Sequence, residues 1–309
     1  MERESLHFCS NKVFQKDIHN KYKSNQKDGS FIVYITNAMF SCDTPVDLKI
    51  VIAYNMTSDL KIINSHSRDP HIVFDEVPHT YYIDGSSEGY ISCTTFIHSF
   101  FGKFDAQKIA ERLVTGNNPK YKNKQVDDII EEWEKNRDEA ALAGTKMHKN
   151  IEDAYNQKNV VDDSPEYAMF LKFLSDWSQM VAYRTEWEIY DEELKIAGSI
   201  DMIFRDDDGK FHIADWKRSK EIKKSNKFQK GTPPIEHMDD CNLNQYSLQL
   251  NLYKFILQKN YGLEISGMFL VIMHPNNTTY IKIDIKCMQK EISWLLEERK
   301  NQMFIQESI

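Results

Sequence analysis

Two carboxylates and an amine stand on a pair of apolar runs two thirds of the way along the chain. The first run, 197–204, is apolar and β-branched around Asp201, and the second, 211–216, is the same around Asp215, with Lys217 two residues further on. Between them Asp207-Asp208-Gly209 is a three-residue turn signal, with glycine where a positive φ is wanted. Pairing symmetric about Asp208 sets Asp201 opposite Asp215 and projects Lys217 from the face of Asp215; a bulged loop would shift that register by one. Opposed like charges repel and call for a cation. Lys217 is one, and a hard divalent ion is a stronger one. Carboxylate oxygens with few other protein ligands suit Mg²⁺ or Mn²⁺, which fill their shells with water and phosphate oxygens. Such an ion polarises a phosphoryl oxygen and lowers the pKa of bound water from about 15.7 to roughly 7. On the Asp-x-Lys spacing alone, a solvated acidic hairpin is the plainer reading.

The elements around the hairpin change that balance. Residues 183–190 (YRTEWEIY) alternate, which places Glu186 and Glu188 on one face and Trp187 and Ile189 on the other. The turn at 191–193 brings Glu186 nearer Asp201 than Glu188. Upstream, 126–143 reads as a helix that breaks at Gly144-Thr145, and a second begins there (GTKMHKNIEDAYN). His148 and Glu152 share a face of it, so an ion pair between them is the ordinary expectation for the histidine. Ser164-Pro165 opens a third helix, 166–180, with Phe170, Phe173, Leu174 and Trp177 as its core stripe. Downstream, KRSKEIKKSNKFQK (217–230) is the densest basic run of the chain, and Arg218 and Lys220 in it are placed to meet phosphates, a solvated face being the alternative. Residues 242–259 form an amphipathic helix with Leu248, Leu252, Phe255 and Ile256 inward. Gln249 and Tyr253 flank that stripe and could hold a phosphate or base by hydrogen bonding and stacking. Ser92, Thr94 or Thr95 would cap a helix beginning near Phe96, and hydroxyls with free N–H groups at a helix start also seat phosphate.

The remaining segments read as a short hairpin turning at Val77-Pro78, another around Asn276-Asn277, and a closing helix, 288–302. Residues 1–70 hold strand-like stretches at 30–40 and 46–63 and read as a small β-rich extension of unknown role, before a main domain at 71–309. The composition is that of a globular protein, 41% hydrophobic and 28% charged, with net charge −8. An acidic chain excludes indiscriminate coating of nucleic acid but leaves room for a local basic groove. Its five cysteines are scattered without a C-x-x-C pair, which disfavours zinc and iron–sulfur sites and suits a reducing compartment. With no apolar leader and no run long enough to span a bilayer, an intracellular, soluble protein is expected, without a membrane partner.

Taken in order, these segments resemble the PD-(D/E)xK nuclease superfamily, and within it the RecB-like exonuclease branch. GTKMH matches the branch's helical histidine at His148, AGSID its first metal-binding aspartate at Asp201, and ADWK its second acid and lysine at Asp215 and Lys217. QLNLY matches the following glutamine and tyrosine at Gln249 and Tyr253. The segment HTYYIDG…SCTTFIHSFF resembles the branch's entry segment, which implies that Ser92 and Thr94 lie near substrate phosphate. The likeness spans roughly residues 71–300. It implies an α/β, restriction-endonuclease-like core: a mixed central sheet flanked by helices. It also implies Mg²⁺- or Mn²⁺-dependent hydrolysis of DNA, exonucleolytic on single strands or ends, in replication, repair or recombination. Asp201, Asp215, the Trp216 carbonyl, Glu186 and His148 would hold the metal and Lys217 would act on the reacting phosphate. A flap endonuclease or a non-catalytic DNA-binding scaffold are the alternatives. The iron–sulfur cysteines of some RecB-like nucleases are absent, as are helicase motifs, so unwinding would come from a helicase or replication partner.

Overall fold

The computed structural model of the 309-residue chain describes residues 31–33, 52–54, 59–116, 118–121 and 123–307. The chain divides into two compact units, Met1–Ser58 and Asp59–Ile309. In the first, β1 (Phe31–Val33) and β2 (Ile52–Tyr54) pair antiparallel, Phe31 opposite Tyr54. Most of the strand content expected at 30–40 and 46–63 lies outside the described residues. Its far end, Leu60–Ile63, is a helical turn (α1) of the second unit, capped by Asp59.

The second unit is built on a six-stranded mixed sheet. Its strands are β5 (Ile91–Ser92), β6 (Val181–Asp191), β7 (Ile196–Arg205), β8 (Phe211–Lys217), β9 (Ile265–Ile272) and β10 (Ile281–Asp284), and the order along one path is β10-β9-β8-β7-β5 with β6 also on β7. β8–β9 and β5–β7 are parallel; the other pairs are antiparallel. A separate hairpin, β3 (Ile72–Asp75) with β4 (Thr80–Ile83), turns where Val77-Pro78 predicted. β6 runs along one edge of β7, while the other edge is shared. β8 pairs with Met202–Arg205, β5 only with Ile196 and Ala197, and 198–201 stand between them. The sheet splits beside Asp201.

Helices cover both faces. On one, α4 (Val126–Tyr155) and α5 (Pro165–Asp176) pack Met147, Ile151, Phe170 and Phe173 onto Met202, Phe204, Ala214 and Trp216. On the other, α2 (Cys93–His98), α6 (Asn242–Asn260) and α7 (Gln289–Glu307) cover Ile203, Ile213, Leu270 and Ile272. The strict alternation Ile213/Ala214/Asp215/Trp216 gives each face its own side chains. Trp216, buried against Phe173 at 5.3 Å between ring centroids, pins the backbone of Asp215 and Lys217.

α4 departs from expectation. Gly144 does not end it; 30 residues run unbroken, about 45 Å at 1.5 Å per residue. A lone glycine costs a helix only about 1 kcal/mol relative to alanine, and strong helix formers on both sides outweigh that. The part 134–142 is exposed, and α3 (Ala106–Thr115) packs against this helix.

Residues 59–71 are stitched to β6. Arg184, 1% exposed, donates to Asp69 Oδ2 at 2.8 Å and to the Asn64 carbonyl at 2.9 Å, and Trp187 Nε1 donates to Asp69 Oδ1 at 2.9 Å. Removing one member of a buried ion pair strands the other. Asp69→Ala should therefore lower the unfolding free energy by roughly 3–5 kcal/mol, read from the denaturant midpoint at unchanged slope.

Candidate active site

Three acids line up across three strands where the ladders lapse. The β6/β7 ladder pairs Thr185 with Met202 and Trp187 with Ile200 and leaves Glu186 facing Asp201 unpaired. Glu186 has φ +42°, the left-handed region that non-glycine residues enter only at a cost of order 1 kcal/mol or more. The β7/β8 ladder is centred on Asp208, as the turn predicted, with Gly209 at φ +78°. It stops at Met202–Ala214, one step short of Asp201 and Asp215. Beyond its end the N–H of Trp216 donates to Asp201 Oδ2 at 2.7 Å, so the carboxylate substitutes for the missing strand partner.

His148 closes the group from α4. Its Nε2 donates to the Trp216 carbonyl at 2.9 Å, and its Nδ1 lies 3.6 Å from Glu186 Oε1 and 3.7 Å from Asp201 Oδ2. Burial works against a charged imidazole there, but the Asp201 and Glu186 carboxylates outweigh it and raise the pKa to about 9. The pairing with Glu152 expected from helical spacing does not form; Glu152 accepts from Lys149 at 3.0 Å. Lys217 Nζ donates to Asp215 Oδ1 at 3.0 Å and carries its charge 4.8 Å from the centre of the Tyr246 ring. Burial pushes the Asp215 carboxyl up to about 6 although Lys217 opposes it, and burial likewise raises Asp201 against the pull of His148. Lys217 itself is raised, because Asp215 and Asp201 outweigh its own burial.

The donors fit a hard divalent cation. His148, Glu186 and Asp201 offer ligand atoms within 4.8 Å of one another. Asp215 Oδ2 is buried and makes no hydrogen bond, although the Lys217 ammonium is 2.8 Å away. The Trp216 carbonyl keeps a second lone pair beside the one His148 uses. Buried carboxylates whose charged form burial disfavours are stabilised by an ion of opposite sign.

The flanking residues are placed less uniformly. Gln249 donates to the Tyr253 hydroxyl at 2.8 Å, as their spacing allows. Tyr253, however, is only 3% exposed, and its ring lies so close to Gly198 that a Cβ there would meet Tyr253 Cε1 at 2.8 Å. That burial corrects the expectation that its ring could stack on a base; it holds Gln249 instead. Ser92 caps α2, accepting from Thr95 N at 3.0 Å, so the helix starts at Cys93 and not near Phe96. Thr94 is exposed beside it, and Ser92 and Thr95 line a hollow of about 200 Å³ with His79, Thr80, Tyr81, Tyr90 and Ile91. Arg218 is held by the buried Glu166 at 2.7 Å, whereas Lys220 is exposed. Sequence reasoning missed Tyr246, one helical turn before Gln249, and Glu166, whose place under Arg218 no local spacing signals.

A mixed sheet covered by helices on both faces, with acids and a lysine gathered at its split, is the restriction-endonuclease-like arrangement. Residues 95–304 match the PD-(D/E)XK nuclease superfamily, and the chain belongs to that superfamily. Membership implies a metal-dependent nuclease, and so a hydrolase. No curated protein matches the chain. Among solved structures it is similar to one named "Crystal structure of SSO0001", at 15% identity over 70% of this chain and 77% of that one, with a TM-score of 0.31. Among the described residues no helix is long and apolar enough to cross a membrane.

Proposed function

We propose that the protein is an Mg²⁺- or Mn²⁺-dependent deoxyribonuclease of the RecB-like exonuclease kind, degrading single-stranded DNA or DNA ends. The observation that carries this reading is the convergence of Glu186, Asp201, Asp215, Lys217 and His148 on the split in the sheet, around one backbone carbonyl. Asp201, Asp215, Glu186, the Trp216 carbonyl and His148 are the residues that would hold the metal. A divalent ion bound among them would polarise a phosphoryl oxygen and acidify a water. Lys217, kept charged by Asp215, orients the attacking water and stabilises charge developing on the phosphate. Its ammonium is fixed from two sides, by the carboxylate and by the Tyr246 ring, so little reorganisation is needed at the moment of reaction. Gln249, Ser92, Thr94 and Lys220 contact the strand's phosphates, Arg218 does so from its seat on Glu166, and Tyr253 keeps Gln249 in place. A helicase or replication protein would supply the unpaired strand.

The test compares end-labelled linear single-stranded DNA with covalently closed circles, with Mg²⁺ or Mn²⁺ and with chelator. Shortening of the linear strand from an end, intact circles and full arrest by chelator are expected. Circles cut as fast as linear strands would assign an endonuclease, and binding without any cleavage a scaffold.

A further inference from the structure

The basic run after Lys217 carries an aromatic ring that the protein leaves in water. Phe228 is 95% exposed. Single exposed apolar residues are ordinary, and two others, Val77 at 95% and Val161 at 90%, are comparably bare, but they stand in acidic company, after Asp75-Glu76 and before Asp162-Asp163. Phe228 stands among Lys223, Lys224, Lys227 and Lys230, all exposed. The turn that presents it is fixed by hydrogen bonds on both sides. Asn226 Oδ1 accepts from the N–H groups of Phe228 (3.0 Å) and Gln229 (3.2 Å), and Asn226 Nδ2 donates to the Asp240 carbonyl at 2.8 Å. Lys230 pairs with Asp239 through both backbone and side chain. Asp240, whose N–H donates to the Gln229 carbonyl, accepts from Gln245 Nε2 at 2.8 Å. The ring is thus carried on a braced turn tied to Gln245 in the first turn of α6, the helix whose Tyr246 ring lies 4.8 Å from the Lys217 ammonium.

We propose that Phe228 is a stacking platform for an unpaired base of single-stranded DNA, with Lys223, Lys224 and Lys227 on the flanking phosphates. An apolar ring among cations repels cationic surfaces and suits a polyanion with aromatic faces. A duplex keeps those faces stacked on each other, whereas a single strand presents them. The platform therefore selects unpaired strands before cleavage, independently of the acids. It deepens the nuclease reading and rests on it, since it requires that DNA reach the site.

The experiment uses the full chain in chelator, so that nothing is cut. The probes are a fluorescein-labelled oligothymidylate and the same strand with one 2-aminopurine moved along it. The unaltered chain should quench 2-aminopurine at one or two positions. Phe228→Ala should lose that quenching and bind roughly 5- to 150-fold more weakly. Phe228→Trp should keep both, and Phe228→Leu, apolar but without a ring, should lose the quenching. Unchanged affinity and quenching in Phe228→Ala would overturn the platform alone, and would turn the ring over to protein contact. Failure of the unaltered chain to bind the strand would overturn the platform, while the cleavage assay with Mg²⁺ or Mn²⁺ decides the nuclease reading by itself.

Discussion

Asp201→Asn should lower single-turnover cleavage by about 10³-fold or more at saturating metal, and leave the fold at least as stable as before. The rate effect comes from losing one charged oxygen from the ion's ligands, where stabilisation of the reacting phosphate is worth several kcal/mol. The stability effect comes from burial. The carboxylate sits where its charged form is disfavoured, beside Glu186, and asparagine keeps both its shape and an oxygen to accept from Trp216 N–H. A site that trades stability for chemistry gives up the chemistry and regains the stability. Cleavage assays beside thermal unfolding in chelator read the two halves separately. Loss of both together would make Asp201 a structural acid.

Lys217→Ala should cost about 10²–10³ in rate, the usual effect of removing one group that meets developing charge. It is not a silent change for the fold. Asp215 is only 2% exposed and would lose its partner, so its carboxyl would take up a proton more readily and bind metal less well. Lys217→Arg separates the two effects. It restores a cation to Asp215 and hence the unfolding midpoint and the metal requirement, while a planar guanidinium does not reproduce the point charge of an ammonium at the phosphate. Turnover of Lys217→Ala close to that of the unaltered chain would refute the role given to the lysine.

The hairpin was legible because its information is local. A turn with glycine at the left-handed position fixes register for every pair behind it, and the pairs observed are centred on Asp208. Glu186 was legible as the acid nearer Asp201, from alternation and the turn after it. Its left-handed backbone was not, because nothing in the segment 183–190 demands it; the strain appears only where the paired strands part. His148 shows the same limit. Spacing found the residue and assigned it to Glu152, but the neighbours that raise its pKa lie more than thirty residues away in sequence. Tyr253 was found on the right helix face beside Gln249, yet its burial depends on Gly198, on another element. Parallel pairing of β8 with β9 was equally hidden, since no turn joins them and α6 lies between. Residues 1–58 offered little pattern to read.

β8 has neighbours along both edges, β7 for its first half and β9 through Lys217–Ile272. Amides held in that way exchange with deuterium only when the whole sheet opens, at a free energy near that of global unfolding. The stretch 211–214 should thus be among the slowest to exchange, and the exposed part of α4 at 134–142 far quicker, as peptide-resolved mass spectrometry would show. The anvil of this protein is then its most unyielding strand, and any adjustment to an incoming polymer falls to the parts around it.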